Sequence, residues 1–294
     1  MSPLIYLDGE YLPLEQARVS VLDRGFLFGD GVYEVIPAYG GTPFRLKEHL
    51  RRLDHSLAAI RMGPPLKHAQ WLAIFTRLLD QLGEADQQIY LQVTRGAYDR
   101  RLHAIPEEVR PTVLVMAGPL SQRDPELVRQ GMSVVTLEDI RWQRCDIKAI
   151  TLLANILAQQ EARDQGAQEA LLVRDGLVTE GTASNFFLVK DGLILTPPKS
   201  NHLLPGITRD LVLELAMDAG LPCAEAGIRV EDLEQADEIW ITSSTKEVMP
   251  VTRLDGRPVA NGRPGPMWER MNGLYAACKT RLRQRSQPSE QCNE

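Results

Sequence analysis

One lysine stands where an amine could do chemistry. The chain has 33 Lys and Arg residues, of which seven are lysines. Lys148 lies between a charged stretch, RWQRCD, and an apolar, helix-like run, AITLL. A lysine at such a junction is commonly a solvated residue at a helix start, its stem packed on apolar surface. The alternative is a Schiff-base lysine, because partial burial and nearby cations such as Arg141 or Arg144 would favour the neutral amine that attacks a carbonyl.

Several other chemistries lack their sequence motifs. The chain contains no GxxxxGK[ST], HExxH or GxSxG pattern, and Gly29-Asp30-Gly31 lacks the third glycine of a dinucleotide fingerprint. The four cysteines form no CxxC pair, so neither a zinc site nor a disulfide framework is indicated. We therefore expect no metal, and a cytoplasmic protein with reduced thiols.

Charge and hydropathy limit the partners. The net charge is -6, so no broad basic field exists to attract nucleic acid. An anionic ligand would need a local group of Arg, Lys or backbone N–H donors. The N-terminus lacks the basic and apolar regions of a signal peptide, and no apolar run approaches the ~20 residues that span a bilayer. We expect neither nucleic acid nor membrane as a partner.

Asp-Gly dipeptides between β-prone runs predict three tight hairpins. They are Asp8-Gly9, Asp175-Gly176 and Asp191-Gly192, and Asp-Gly supports the type I′ turn that joins neighbouring antiparallel strands. Apolar periodicity predicts helices over 46–60, 71–82, 152–162 and 208–219. Interior strands are expected over 89–93, 112–116 and 238–242. Hairpins mixed with separate helices indicate an α+β or mixed α/β fold and no regular βαβ repeat.

The segment GPLSQRDPE, residues 118–126, has the composition of a linker. A length of 294 residues suggests roughly two domains of ~150 residues each. We predict a smaller N-terminal domain over 1–120, a linker over 121–126 and a larger domain over 127–280. The polar segment 281–294 is expected to fray.

A series of motifs in one order is similar to a known family. They are RGFLFGDGVYEV (24–35), EHLRRL (48–53), QVTRG (92–96), EDIRWQRCDIK (138–148), VTEGTASN (178–185), PGITRD (205–210) and ITSSTKEVMPV (241–251). This series resembles the fold-type IV aminotransferases, which depend on pyridoxal phosphate, from about residue 4 to 280. Within that class it is most similar to the bacterial D-amino acid aminotransferases, because RCDIK and an Arg-x-His after QVTRG are both present. The Gly-Gly-Asn-Tyr that follows the lysine in branched-chain L-amino acid enzymes is absent.

The resemblance implies a cofactor site and a two-domain fold-type IV architecture. Lys148 would bind pyridoxal phosphate as a Schiff base, and Glu180 would lie against the pyridine nitrogen and favour the pyridinium. Arg52 matches the family's phosphate-binding arginine. The remaining cofactor-binding positions that it implies are Leu204 on one cofactor face, Ile207 and Thr208 at a helix start, and Ser243 and Ser244. Without the family, Glu180 is a turn residue and Arg52 a solvated helix residue.

The substrate side is implied by a loop rich in donors. In the family, an Arg-x-His on this loop and the tyrosine of VYEV hold the substrate carboxylate; here these would be Arg101, His103 and Tyr33. Arg100 competes for the role of Arg101, and without the family the loop is a solvated surface segment. The family loop reaches into the neighbouring subunit, so the resemblance also implies a homodimer.

Three functions remain open on the sequence. The first is ping-pong transfer of an amino group from a D-amino acid, of the D-alanine or D-glutamate type, to a 2-oxo acid. The second is another activity on the same fold: an aminodeoxychorismate-type lyase, or an L-branched-chain or amine transaminase. The third is a non-catalytic protein that binds pyridoxal phosphate, although mere carriage has no need of the electron sink that Glu180 would support.

Overall fold

The computed structural model describes residues 3–83 and 85–286, which divide into two compact units. The first unit contains the described residues up to Ser121, together with 147–151 and 279–286. The second contains 122–146 and 152–278. The chain therefore leaves the second unit for five residues, which include Lys148, and then returns to it.

The first unit is built on a six-stranded antiparallel sheet with the strand order β2-β1-β6-β5-β3-β4. Its strands are β1 (Leu4–Leu7), β2 (Glu10–Pro13), β3 (Gly31–Tyr39), β4 (Thr42–Pro43), β5 (Gln87–Thr94) and β6 (Thr112–Pro119). Its helices are α1 (Arg24–Phe28), α2 (Leu46–Ala59) and α3 (His68–Leu79). Leu50, Leu53 and Leu57 of α2 are buried in one core with Val32 and Ile36 of β3, so one face of β3 is covered by α2.

The second unit contains a nine-stranded mixed sheet, with β12-β11-β10-β13-β14-β7-β8-β9 along its path and β15 paired to β14. Its strands are β7 (Met132–Glu138), β8 (Glu169–Arg174), β9 (Leu177–Gly181), β10 (Asn185–Lys190), β11 (Leu193–Thr196), β12 (Cys223–Glu225), β13 (Glu238–Ser243), β14 (Glu247–Leu254) and β15 (Arg257–Pro258). The helices α4 (Pro125–Gln130), α5 (Leu153–Asp164) and α6 (Ile207–Asp218) follow in this part of the chain, and α7 (Pro266–Ser286) ends the described residues. Parallel pairs β7–β8, β7–β14 and β11–β12 lie among antiparallel ones, which confirms the predicted mixture of α and β structure.

The three Asp-Gly hairpins form as the sequence predicts. Asp8, Asp175 and Asp191 have φ values of 48°, 53° and 51°, and the glycine after each is also at positive φ. Two central residues at positive φ are what the type I′ turn requires. A fourth such turn, at Asp255-Gly256, joins β14 to β15.

The predicted helices agree with the observed ones to within a few residues, but the predicted linker is only partly irregular. β6 continues to Pro119, and α4 begins at Pro125 with the Asp124 carboxylate capping the Glu126 amide. The division between the units falls between Ser121 and Gln122. Helix α7 extends to Ser286, into the segment expected to fray, and residues 287–294 of that segment lie outside the described residues. Within the described ranges no helix has the length and apolar character that would let it cross a membrane.

Candidate active site

The backbone of Lys148 is held from two sides. The amide of Tyr33 in β3 donates to the Lys148 carbonyl at 3.0 Å, and the Ile150 amide donates to the Gly31 carbonyl at 3.1 Å. The Lys148 amide itself donates to the Ser56 hydroxyl of α2 at 3.2 Å. The five-residue segment that carries the lysine is therefore fixed to the edge of β3 and to α2.

The side chain of Lys148 is half-buried beside an aromatic ring. Its Nζ lies 4.2 Å from the centre of the Tyr33 ring, and its neighbour Ile147 belongs to the buried core of the first unit. Helix α5 begins only at Leu153, so Lys148 is not a helix-start residue. The structure thus brings two of the predicted site residues, Lys148 and Tyr33, into contact.

Arg52 belongs to a buried ionic group in the first unit. Its Nε and Nη2 donate to the two oxygens of Glu34 at 2.8 and 2.7 Å, and the His49 Nδ1 lies 2.8 Å from Glu34 Oε2. Glu34 is fully buried. Burial alone would raise the pKa of Glu34, but the Arg52 charge and the bonds from Arg52 and His49 hold that pKa at about 2. Burial lowers the pKa of His49, so a neutral imidazole beside an ionised carboxylate is favoured.

Glu180 lies near the end of β9 in the second unit with both carboxylate oxygens engaged. Its Oε1 accepts from Arg141 Nη1 at 2.6 Å, and its Oε2 accepts from the Leu204 amide at 3.0 Å and from Asn185 Nδ2 at 3.2 Å. The Asn185 amide also donates to the Leu204 carbonyl at 2.8 Å. Burial raises the pKa of Glu180 to about 7, although Arg141 and the Leu204 amide oppose that shift. The carboxylate is therefore fixed in orientation by three hydrogen-bond donors.

Arg141 and Arg144 have carboxylate partners of their own, which removes the basis for the expectation that they lower the basicity of Lys148. Arg141 donates to Asp139 at 2.8 and 3.0 Å as well as to Glu180, and Arg144 donates to Asp146 at 3.0 and 3.1 Å. A cation whose charge is offset by an adjacent carboxylate has little net effect on a third group. The role of Arg141 is with Glu180 instead.

The first turn of α6 has the donor chemistry of an anion site. The helix follows Gly206, which provides no side-chain cap, and the first amides of a helix have no partner within the helix. Ile207 and Thr208 occupy this turn and are both buried. A Cβ on Gly206 would lie 1.8 Å from Asn185 Oδ1, so only glycine fits between the helix start and Asn185. Leu204, two residues earlier, is half-buried.

Ser243 and Ser244 lie where β13 turns into β14. Both are half-buried, and the Ser243 hydroxyl accepts from the Lys246 amide at 3.0 Å. Hydroxyl and amide donors at a strand end can bind a phosphate together with a helix N-terminus. The second unit therefore provides all of the predicted positions 180, 204, 207, 208, 243 and 244.

The predicted carboxylate-binding residues Arg101 and His103 both lie against one ring. The Arg101 guanidinium carbon lies 4.9 Å from the centre of the Phe28 ring, and the His103 ring lies 5.3 Å from it at an edge-to-face angle of 69°. Both residues are exposed, as is Arg100. The structure groups these two with Phe28 of α1, whereas Tyr33 lies on β3 beside Lys148.

Sequence reasoning missed three residues that orient the predicted ones. Glu34 holds Arg52, Arg141 holds Glu180, and Asn185 joins Glu180 to Leu204. A signal existed for Glu34, because alternation along VYEVI places it on the same face as Val32 and Ile36. A carboxylate on a buried strand face requires a cationic or hydrogen-bonding partner.

Comparison with known proteins connects this geometry to one family. The model of the family "Amino-transferase class IV" matches residues 31–254. A D-alanine aminotransferase of Bacillus licheniformis is 41% identical over 263 residues, which cover 90% of this chain and 92% of that protein. A D-alanine aminotransferase of Listeria monocytogenes is 40% identical over 92% of this chain and 94% of its own.

Solved structures of similar fold include branched-chain enzymes. The T.th. branched-chain amino acid aminotransferase with pyridoxamine 5'-phosphate has a TM-score of 0.88 at 31% identity and covers 97% of both chains. A hypothetical aminotransferase from Mycobacterium tuberculosis in a PLP-bound form has a TM-score of 0.83 at 26% identity, covering 95% of this chain and 99% of its own. The predicted fold-type IV architecture is confirmed.

Proposed function

This chain belongs to the class IV aminotransferases, and from that premise we propose that it transfers the amino group of a D-amino acid to a 2-oxo acid with pyridoxal phosphate as cofactor. The observation that carries the proposal is Glu180, a buried carboxylate that three donors hold in one orientation. The chain as a whole is about 40% identical to D-alanine aminotransferases. D-Alanine and D-glutamate are the expected donors, and pyruvate and 2-oxoglutarate the expected acceptors.

The residues present fit the cofactor. The phosphate is a dianion, and the uncapped first turn of α6 offers amides beside a glycine that has no room for a side chain. Arg52 matches the family's phosphate-binding arginine, and Glu34 fixes the orientation of its guanidinium group. We assign the cofactor to Lys148, Arg52, Glu180, Leu204, Ile207, Thr208, Ser243 and Ser244.

Bound pyridoxal phosphate supplies an aldehyde that takes up the amino group and a ring that withdraws electrons from the substrate Cα–H bond. The protein provides the proton transfers and the orientation. Nζ of Lys148 would accept the proton from the substrate Cα as a general base and would deliver it to the former aldehyde carbon of the cofactor. Glu180 would present its carboxyl group to the pyridine nitrogen of the bound cofactor, and Arg141 keeps that carboxyl group in place.

The substrate carboxylate is assigned to Tyr33, Arg101 and His103, with Arg101 preferred over Arg100. The Phe28 ring lies against Arg101, whereas the described partner of Arg100 is Asp99 at 4.0 Å. The active form that we propose is a homodimer in which this loop serves the neighbouring subunit. The exposed apolar residues Phe26 and Val21, 75% and 71% exposed, support a covering partner. The thiols of Cys145, Cys223 and Cys278 are buried or half-buried and form no disulfide within the described part of the chain, which suits a reducing cytoplasm.

The proposal is tested by the visible spectrum of the purified protein with D-alanine and L-alanine added separately. Loss of the yellow absorption with the D-isomer alone, and its return with a 2-oxo acid, is the expected result. Loss with the L-isomer alone would keep the chemistry and overturn the substrate class. A colourless protein that takes up no added pyridoxal phosphate would contradict the proposed function.

The second candidate is a branched-chain L-amino acid transaminase. It is favoured by one observation, namely that solved structures of such enzymes share the fold with TM-scores of 0.86 to 0.88. Their identity of 27% to 31% is lower than the 40% or so shared with the D-alanine enzymes. L-Leucine and L-valine in the same spectral assay separate the two candidates.

A further inference from the structure

The loop that carries Arg101 and His103 is tied down by a buried arginine. Arg24, the first residue of α1, is only 5% exposed. Its Nη1 donates to the carbonyls of Leu102 at 2.5 Å and Ala104 at 3.3 Å, and its Nη2 donates to the carbonyl of His103 at 3.3 Å. One guanidinium thus holds three consecutive carbonyls. His103 lies within this stretch and Arg101 directly precedes it, so both proposed substrate-binding residues belong to the tethered segment.

Arg24 is itself held in place from behind. Its Nε donates to Asp30 Oδ2 at 2.8 Å, and Arg95 donates to both oxygens of Asp30 at 2.8 and 2.9 Å. Arg95 also donates to the Ile60 carbonyl at 2.7 Å. Asp30 joins the two guanidinium groups, so Arg24 cannot swing away without breaking this ion group.

Phe28, at the other end of the short helix α1, provides an apolar support for the loop. Its ring contacts Arg24 at 4.9 Å, Arg101 at 4.9 Å and His103 at 5.3 Å. A planar guanidinium and an imidazole that lie against one ring lose side-chain freedom before any ligand binds. The Phe28 ring therefore supports both side chains assigned to the carboxylate as well as Arg24.

The base of the loop is closed as well. Gly96 has a φ of +83°, and a Cβ there would lie 1.8 Å from the Arg110 carbonyl oxygen. The Arg24 amide donates to the Gly96 carbonyl at 2.9 Å. The loop is thus held at its base by Gly96 and at its tip by the Arg24 side chain, while the side chains of Arg101 and His103 remain exposed.

We propose that Arg24 and Phe28 are positioning residues that fix the loop of Arg101 and His103 and thereby set the affinity for the substrate carboxylate. Neither acts on the reacting atoms, so they affect substrate binding more than the chemical step. This inference rests on the proposed function, because it assumes that Arg101 and His103 bind that carboxylate. A preorganised loop avoids the entropy cost of ordering when the substrate binds.

The test compares Arg24→Met, which keeps the apolar stem and removes the guanidinium, with the wild-type holoenzyme. KM for the D-amino acid and for the 2-oxo acid should rise about tenfold, which corresponds to one lost charge-assisted contact, while kcat changes less than about twofold. Amide hydrogen exchange over residues 101–104 should be faster. Arg110→Met is the matched control, because it removes one exposed charge from the same loop and leaves the tether intact.

A second pair of variants covers the case in which Arg24→Met does not fold. Phe28→Leu should raise KM, and Phe28→Tyr, which keeps the ring, should restore it. In an Arg101→Met background the effect of Phe28→Leu should largely disappear, because the support acts through Arg101. A merely structural role would lower the melting temperature and kcat without this dependence on Arg101.

The outcomes separate the two proposals. Unchanged exchange and unchanged KM in folded Arg24→Met, or an equal KM change in Arg110→Met, would overturn the positioning role. A wild-type protein without transaminase activity would contradict the proposed function. In that case faster exchange in Arg24→Met or Phe28→Leu would still establish the tether, and unchanged exchange would remove it.

Discussion

The backbone of Lys148 is hydrogen-bonded to its neighbours, so a substitution of its side chain tests the amine and not the local fold. Its amide and carbonyl are bonded to Ser56 and Tyr33, so Lys148→Ala removes the amine and leaves these contacts in place. We expect turnover to fall by at least about 1,000-fold, because both the covalent attachment and the general base are lost. Steady-state turnover of D-alanine with 2-oxoglutarate measures this.

The control for that variant is Lys190→Ala. Lys190 lies at a hairpin and its Nζ bonds the exposed Gln235 at 2.7 Å, so its loss should leave turnover at the wild-type level. Substantial turnover in folded Lys148→Ala would remove this lysine from the mechanism.

Glu34 makes stability depend on pH in a defined direction. Its pKa of about 2 lies below the ordinary value of 4.5, so the ionised form stabilises the folded protein above about pH 4.5. This contribution is lost as the pH falls through 4.5 toward 2, and it amounts to about 2 kcal/mol between pH 5.5 and 3. Urea unfolding of the wild type at pH 5.5 and at pH 3 measures how much the free energy of unfolding falls in total.

Comparison with Glu34→Gln isolates the contribution of this one carboxyl. The variant should be less stable at pH 5.5, because Arg52 loses its buried partner, but its stability should fall by about 2 kcal/mol less on acidification. Glu48→Gln, at a half-buried position in the first turn of α2, is the control for the chemical change itself. Equal acid losses in the wild type and in Glu34→Gln would contradict an ionised Glu34.

At the scale of the elements, local patterns predicted those parts of the fold whose cause is local. The Asp-Gly turns and the helices with apolar periodicity follow from a few neighbouring residues, and they appear within a few residues of their expected bounds. β3 and β14 were not predicted as strands. β3 places Glu34 on its buried face, and β14 contains Pro250, which has no N–H to give to a ladder and would ordinarily argue against an interior strand. Contacts beyond the strand itself make these exceptions possible: Arg52 pairs with Glu34 of β3, and the sequence-distant strand β7 pairs with β14.

In the candidate site, too, residues within a local motif were predicted from the sequence, whereas pairs distant along the chain were not. Lys148, Glu180 and Arg52 were predicted as site residues because a family motif surrounds each, and position alone left the solvated alternatives open. Glu34 and Arg52 are 18 residues apart along the chain, and Arg141 and Glu180 are 39 residues apart. No local pattern encodes such pairs, so they required the structure.

The start of α6 gives a prediction at the scale of the elements. In Gly206→Ala the new methyl would meet Asn185 Oδ1, and Asn185 holds both Glu180 and the Leu204 carbonyl. We expect the dissociation constant for pyridoxal phosphate to rise at least about tenfold, since a displaced Asn185 disturbs the helix start and the carboxylate together. Titration of the apoprotein, followed by absorbance, measures it.

Gly118→Ala is the matched control for that substitution. A Cβ there meets nothing within 4 Å, so the same chemical change should leave cofactor affinity within about twofold of the wild type. Unchanged affinity in Gly206→Ala would show that the close approach to Asn185 has no part in cofactor binding.

At the scale of the whole molecule, the question is which subunit's loop serves which site. We propose a homodimer, with a mass of about twice 32.9 kDa, in which Arg101 and His103 act in the neighbouring subunit. Sedimentation equilibrium tests the dimer alone. It does not distinguish a loop that serves its own subunit from one that crosses the interface.

Mixed dimers make that distinction. Consider a dimer of one Lys148→Ala subunit and one Arg101→Met/His103→Gln subunit. If the loop crosses to the neighbouring subunit, one site carries both lesions and the other site carries none. If the loop serves its own subunit, each site carries one lesion. Random reassociation of the two inactive proteins should therefore restore about a quarter of wild-type activity at low substrate concentration. Mixing either variant with itself is the control. No recovery from a mixture shown to contain mixed dimers would mean that Arg101 and His103 bind substrate in their own subunit, and the reason that we give for dimerisation would fall with it.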